Sequence, residues 1–332
     1  MKTGAARLEA GAYRGPGLAG RLSAWGRAGV GQVALAGVLV LVAVIFAITA
    51  PGFGDPGNMG NLSRQASVLG ILALGQLFVI LVGGLDISIG STIAAVSIIT
   101  ALASKQVGVA PAFLLGIGFG GVVGLINGFV SARFRIHSLI VTIGTLTMVR
   151  GFGLALTGGT AVADVPKDYG SLGGSWLGPV PLPALVLLLV LAVSYFMLRW
   201  TRPGRHIYAV GGSEMAALVS GISVLRVRIL AFVICGLLTG LAAVVLASRI
   251  GSGEPNLGAG MELDAITAVF AGGVMWGGGK GTVWNVLLGV ALLSILSNGL
   301  NLLGARSYVQ MTVVGAVLVL AIVSQRLGQG RR

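Results

Sequence analysis

Charged residues are scarce in this chain. They make up 9% of its 332 positions, whereas hydrophobic residues make up 55%. Soluble domains carry roughly 25% charged residues. A chain so poor in charge cannot cover a water-exposed surface with polar groups, so a soluble globular protein is excluded and a membrane protein is predicted.

Cysteine and histidine are almost absent as well. Cys235 is the single cysteine and cannot form an internal disulfide, and the two histidines lie far apart in the sequence. The motifs HExxH and GxSxG do not occur. The segment "GGGKG" resembles a phosphate-binding loop, but Val274 stands where the first glycine should be, and Gly281 replaces the magnesium-binding Ser or Thr. No catalytic residue, metal site or cofactor is expected in this chain.

Long apolar runs separated by Pro, Gly and charged residues predict an all-α polytopic membrane protein. A span needs about 20 apolar residues to cross a hydrocarbon core of about 30 Å. The runs predict about ten transmembrane helices, near residues 30–50, 66–83, 87–104, 111–131, 137–157, 183–198, 228–248, 263–274, 282–302 and 308–325.

The net charge of +13 reflects membrane topology and does not indicate nucleic-acid binding. With an inside N-terminus, 16 of the 22 Lys and Arg residues fall on the cytoplasmic side, as the positive-inside rule requires. Both termini are therefore expected in the cytoplasm. We predict three parts: a basic, disordered tail at 1–29, a permease domain at 30–325 with a cytoplasmic loop at 199–227, and a basic tail at 326–332.

Asp86 is the most unusual residue of the apolar segments. An unpaired carboxylate at mid-membrane costs about 2.5–3.5 kcal/mol. Gly83 and Gly84 loosen the chain before it, and Ser88 supplies a hydroxyl after it. Two roles are open: a broken helix lining a polar pathway, or a carboxylate that caps the third span.

Other polar residues in the spans also have two possible roles. Arg150 could pair inside the bundle or reach the outer surface. Asn298 and Asn301 lie on one helix face, where they could bond a neighbouring helix or a polyhydroxyl solute. Glu262 and Asp264 open the eighth span, where a helix N-terminus favours negative charge.

Glycines mark two further patterns. Gly116, Gly120, Gly124 and Gly128 recur every four residues and predict close packing of one helix face, and Gly236 and Gly240 predict the same for the seventh span. The segments 78–92 and 268–282 both break an apolar run at paired glycines. Such paired interruptions are typical of transporters built from internal repeats.

Four stretches taken together resemble one family, the membrane permeases of ribose-type monosaccharide ABC importers. They are "GGLDISIGS", "GRHIYAVGGSEMAALVSGI", "GMELDAITAVFAGG" and "SNGLNLLG", and the likeness runs in order from about residue 35 to 325. The sequence departs from the family at Met261, in "VMWGGGKG" and in the Arg-rich tail.

The resemblance implies a function and a set of partners. The chain would form the transmembrane pathway of an importer in the bacterial inner membrane, with a second permease copy or a related permease. A separate cytoplasmic ATPase would hold ATP and Mg²⁺, and an extracytoplasmic sugar-binding protein would deliver the solute. The loop with Arg205, Gly212, Glu214 and Gly221 would couple the permease to the ATPase.

Two rival functions are weighed against this one. An ion-coupled secondary transporter would use Asp86 and Arg150 as its ion site. A non-transporting membrane scaffold would have no use for buried ionisable groups. Besides its protein partners, the chain contacts membrane lipid.

Overall fold

The computed structural model describes the backbone of residues 18–329 and the side chains of residues 32–323. In chain order the helices are α1 (Leu18–Thr49), α2 (Pro56–Leu81), α3 (Ile89–Val107), α4 (Val109–Phe134), α5 (Ser138–Thr157), α6 (Ser171–Gly174), α7 (Leu182–Trp200), α8 (Arg202–Gly212), α9 (Glu214–Val219), α10 (Val224–Ile250), α11 (Met261–Ala271), α12 (Val283–Leu302) and α13 (Ser307–Gln329). A 3-10 turn (Lys167–Gly170) and a two-stranded hairpin, β1 (Trp176–Leu177) with β2 (Val180–Pro181), complete the described chain.

Eight helices in the described part of the chain are long and apolar enough to cross a membrane, namely α1, α2, α3, α4, α5, α7, α10 and α12. Each coincides with a predicted span, so the all-α polytopic class is confirmed. The predicted eighth span is shorter than the others, because α11 has 11 residues and ends before paired glycines. The predicted tenth span coincides with α13, which is apolar from Ser307 to Val323.

The predicted boundaries of the tails fall inside helices. α1 begins at Leu18, before the predicted boundary at residue 29, and α13 continues to Gln329, past the predicted boundary at 326. The remaining tail residues, 1–17 and 330–332, lie outside the described residues.

α2 is the central helix of the bundle, and its C-terminal two thirds are buried on every side. α10 crosses it and packs closely against α4. Gly120 and Gly124 of α4 face the backbone of Gly236 in α10, and a methyl group added to any of the three would overlap main-chain atoms of the other helix. The glycine spacing therefore has the predicted packing role.

The loop between α5 and α7 covers the end of the bundle where α3 and α10 finish. Tyr169 is fully buried there, with its hydroxyl 2.8 Å from that of Thr100, and its carbonyl accepts a 2.6 Å hydrogen bond from Ser248. An antiparallel bridge joins Val162 to Gly253 in the loop after α10. The long turn-rich segment is thus an ordered cap on the bundle.

Candidate functional site

The break between α2 and α3 occurs at the two glycines that stand out in the sequence. α2 ends at Leu81, and Gly83 adopts a φ of 79°, a left-handed conformation that glycine tolerates best. The Gly83 amide donates a 2.9 Å hydrogen bond to the carbonyl of Ile80, which ends the helix. Residues 82–88 then run without helix.

Asp86 lies in this break with 2% of its surface exposed. Its Oδ1 accepts hydrogen bonds from the backbone amide of Ser88 at 2.9 Å and from the Ser88 hydroxyl at 2.6 Å. These bonds close the turn that leads into the first residue of α3. Ser88 is the N-cap of α3 and no side chain makes a capping hydrogen bond there, so Asp86 stabilises the turn before the helix and does not bond the amides of its first turn.

A second helix supplies polar contacts to the same carboxylate. Asn127 of α4 is fully buried, and its Nδ2 donates to the Ser88 hydroxyl at 2.9 Å and lies 3.4 Å from Oδ2 of Asp86. Thr145 of α5 donates to Oδ1 of Asn127 at 2.7 Å. Asp86, Ser88, Asn127 and Thr145 form one chain of hydrogen bonds, here called the Asp86 network.

The backbone of the break is also held by side chains from two helices. Gln76 of α2 donates to the carbonyl of Asp86 and accepts from its amide at 3.4 Å. Ser138 at the start of α5 accepts from the amide of Leu85 at 3.0 Å. Because buried backbone groups must be satisfied, these bonds replace those that an unbroken helix would make.

The carboxylate is surrounded by protein dipoles and has no basic partner. Among residues 32–323 the single ion pair joins Glu214 and Arg228, so Asp86 and Arg150 are not paired. Arg150 is partly buried on α5, and its Nε has no hydrogen-bond partner.

A second break separates α11 from α12 and repeats the geometry of the first. Gly273 has a φ of 93°, and its amide donates to the carbonyl of Phe270 at 2.9 Å, as Gly83 does to Ile80. Asn285 of α12 donates to the carbonyl of Gly272 at 2.7 Å. The two similar sequence segments therefore end their helices in the same way.

The two breaks touch each other and the loop that follows α7. The amide of Gly279 donates to the carbonyl of Leu81 at 2.9 Å. Gly211 of α8 lies against main-chain atoms of both residues, with no room for a side chain. The hydroxyl of Tyr208 in α8 donates to the carbonyl of Gly281 at 2.8 Å, and burial raises the pKa of this phenol, so it stays protonated.

The predicted coupling loop consists of two short helices. Ser213 has an extended backbone, separates α8 from α9, and caps α9 by accepting from the amide of Ala216 at 3.2 Å. Glu214 begins α9 and pairs with Arg228 of α10 at 2.6 Å. Arg205 and Gly212 are exposed, and Gly221 ends the loop with a φ of 77°.

A cavity of about 660 Å³ lies between this loop and the first break. Gly83 and Gly84 line it from the break, Glu214 and Arg228 from the ion pair, and Phe232 from α10. It therefore adjoins both the coupling loop and the backbone that positions Asp86.

The remaining predicted residues lie elsewhere in the bundle. Asn298 exchanges two hydrogen bonds of 2.9 Å with Asn58 of α2, so it bonds a neighbouring helix, the first of its two predicted roles. Asn301 is exposed. Glu262 and Asp264 lie in the first turn of α11. No group of three or more His, Cys, Asp or Glu side chains suited to a metal ion occurs in the described part of the chain.

Sequence reasoning did not find Gln76, Asn127 or Thr145. Gln76 and Asn127 could have been found, because an amide side chain inside an apolar span needs a hydrogen-bond partner, as a carboxylate does. Thr145 bonds readily to its own helix and gives no comparable signal.

A protein family described as a branched-chain amino acid transport system / permease component matches residues 58–322. The chain belongs to this permease family. The ribose import permease protein RbsC of Bacillus subtilis is 39% identical to it over 293 residues, which are 87% of this chain and 91% of that protein. RbsC of Escherichia coli K12 is 37% identical over 88% of this chain and 92% of its own length.

A third relative is named for another sugar. The L-arabinose ABC transporter permease protein AraH of Azospirillum brasilense is 36% identical over 316 residues, 92% of each chain. No solved structure matches the chain. The relatives support an ABC importer permease over an ion-coupled transporter, and the chain is a multi-pass protein of the bacterial inner membrane.

Proposed function

We propose that this permease forms the pathway through which an ATP-driven importer takes up a monosaccharide or a related polyol. The family description names branched-chain amino acids, whereas three relatives with 36–39% identity are named for ribose and L-arabinose. The alignments with these sugar permeases extend over nearly the whole chain, so they favour a sugar as the solute.

The proposed topology has ten crossings, with both termini in the cytoplasm. α11 is about 16 Å long at 1.5 Å per residue, too short to cross alone. The glycine-rich segment 272–281 follows it and reaches α8 and the end of α2, so the two together complete one interrupted crossing. The excess of basic residues at the end that carries α8 and α9 supports a cytoplasmic location for that end.

The ATPase is proposed to dock on α9. Three apolar side chains of this short helix are exposed, Met215 by 70%, Leu218 by 50% and Val219 by 83%. Exposed arginines lie on both sides of it in the sequence, at positions 202, 205 and 226. A short helix with an apolar surface and a basic surround suits a groove in a soluble partner. This exposed helix beside the first break is the observation that carries the proposal.

Coupling then requires that ATPase binding favours one arrangement of the two breaks. The free energy for the change comes from differential binding of the ATPase, ATP and loaded receptor to inward- and outward-open states. ATP and Mg²⁺ would be held by the ATPase and not by this chain.

A second permease copy is proposed to pack on α5. Arg150 lies on this helix, and the exposed surface of the same helix includes Thr147 and Gly151. An arginine at that depth needs water or a polar protein partner. A facing copy would supply both, with the solute passing between the copies past Arg150, whereas Asp86 and Ser88 lie buried behind this surface.

The test of this function separates the ATPase contact from the internal ion pair. Glu214→Gln should abolish ATP-driven uptake with little loss of folding or receptor affinity. The double variant Glu214→Arg with Arg228→Glu keeps an ion pair between the two positions. It does not keep a carboxylate at position 214, where we propose that the ATPase makes contact. Uptake should stay absent in the double variant; full uptake by Glu214→Gln would remove the coupling proposal.

A further inference from the structure

A small cavity lies inside the bundle where α2, α11, α12 and α13 meet. Its volume is about 60 Å³. It is distinct from the cavity beside the coupling loop, and none of its lining residues belongs to the Asp86 network. The smallest pockets that bind drug-sized ligands have about 300 Å³. The cavity therefore suits water or a single ion and excludes a sugar.

Four polar side chains line this cavity without hydrogen bonds to the described protein. They are Asp264 of α11, Ser294 and Ser297 of α12, and Gln65 of α2. Ser294 is 2% exposed, and its hydroxyl is buried without a partner. Serines in helices commonly donate to a carbonyl of the preceding turn; neither Ser294 nor Ser297 does so here. Ser294 is the buried member of the four, whereas Asp264 and Ser297 are half-buried and Gln65 is exposed. Since an unsatisfied buried polar group costs roughly 1–3 kcal/mol, the Ser294 hydroxyl indicates a missing ligand.

The charge of the cavity points to a cation. Asp264 is its acidic group, and none of the Lys, Arg or His side chains among residues 32–323 lines it. A carboxylate in low dielectric without a positive partner is costly, so a positive ion would be bound favourably.

We propose that Asp264, Ser294, Ser297 and Gln65 bind a small monovalent cation such as Na⁺. The site offers one carboxylate and neutral hydroxyl and amide oxygens, the ligand types that hard cations prefer. A single carboxylate neutralises one positive charge, whereas a divalent ion would leave an uncompensated charge in the bundle. The ion would join α11 and α12 to α2.

The test measures thermal unfolding of the purified full-length protein in detergent. Three salts are compared at equal ionic strength: sodium chloride, potassium chloride and choline chloride, whose cation exceeds the size of the cavity. We expect sodium chloride or potassium chloride, at a concentration that saturates the site, to raise the midpoint of thermal unfolding by on the order of 5 °C above its value in choline chloride. Equal midpoints in all three salts would overturn the proposal and leave a proton or water as the occupant.

Two variants assign the effect to the site. Asp264→Asn removes the negative charge of the site. Ser294→Ala removes one oxygen ligand and keeps the charge. If Asp264→Asn fails to fold, Ser294→Ala still tests the site. Both should lose most of the difference between salts. Asp168→Asn, in the exposed outer loop, is the matched control and should keep it. A salt effect that persists in Ser294→Ala, or that disappears in Asp168→Asn, contradicts the assignment.

Discussion

The hydroxyl of Tyr208 in α8 lies 2.8 Å from the carbonyl oxygen of Gly281 in the second break. This hydrogen bond joins the coupling loop to the segment between α11 and α12. At the same place Gly211 packs against the junction of both breaks. A displacement of α8 must therefore move the two interrupted helices together.

Tyr208→Phe removes this hydrogen bond and keeps the ring in place. We expect fewer sugar molecules imported per ATP hydrolysed, because α8 would move without carrying the second break. The change in stability should be about 1 kcal/mol, the typical contribution of one hydrogen bond. Tyr308→Phe is the control, since the Tyr308 side chain is exposed and its hydroxyl bonds to none of the described side chains of residues 32–323. An unchanged ratio of sugar to ATP in Tyr208→Phe would show that the bond plays no part in coupling.

Asp86→Asn and Asp86→Ala separate the hydrogen-bond acceptor of this side chain from its charge. Asparagine keeps an oxygen that can accept from Ser88, whereas alanine leaves the Ser88 groups and the Asn127 amide without that acceptor. Alanine should reduce the free energy of unfolding by roughly 1–3 kcal/mol, and asparagine by clearly less. Denaturation in mixed micelles measures both. Equal losses would mean that the carboxylate charge, and not the acceptor, stabilises the break.

Gly120→Leu should disrupt the contact between α4 and α10. The added side chain overlaps backbone atoms of Gly236 and Gly240, which cannot move without separating the helices. We expect a loss of about 1–3 kcal/mol or failure to fold. Gly118→Leu, two residues away on the open side of α4, has free space and should unfold like the wild type. If both variants unfolded alike, close packing at Gly120 would be refuted.

Asn58 and Asn298 should show a measurable coupling energy. They exchange two hydrogen bonds across α2 and α12, and such bonds in membrane proteins average about 0.6 kcal/mol, with a maximum of about 1.7. A double-mutant cycle with alanine at both positions measures the coupling. A parallel cycle between Asn58 and the exposed Asn301 should give a value near zero.

Much of the fold was predictable because apolar runs and glycines carry direct physical signals. The break at Gly83 and the packing of Gly120 followed from the sequence alone. The partners of Asp86 did not, because Asn127 and Thr145 come from other helices and no local pattern specifies which helices adjoin. The same holds for Asn58, which lies 240 residues from Asn298.

The short helices were the hardest elements to predict. Residues 199–227 were predicted as a cytoplasmic loop without internal division, but the extended backbone at Ser213 separates two helices within it, α8 and α9. The eighth span was predicted to continue to residue 274, whereas the glycines at 272 and 273 end α11 at Ala271.

The most direct test of the account is sugar uptake by proteoliposomes of defined composition. Vesicles with this permease, its ATPase and its loaded receptor should accumulate sugar only when ATP is supplied, and the permease alone should neither accumulate sugar nor hydrolyse ATP. Accumulation by the permease alone on a sodium or proton gradient, or ATP hydrolysis by the isolated chain, would contradict it.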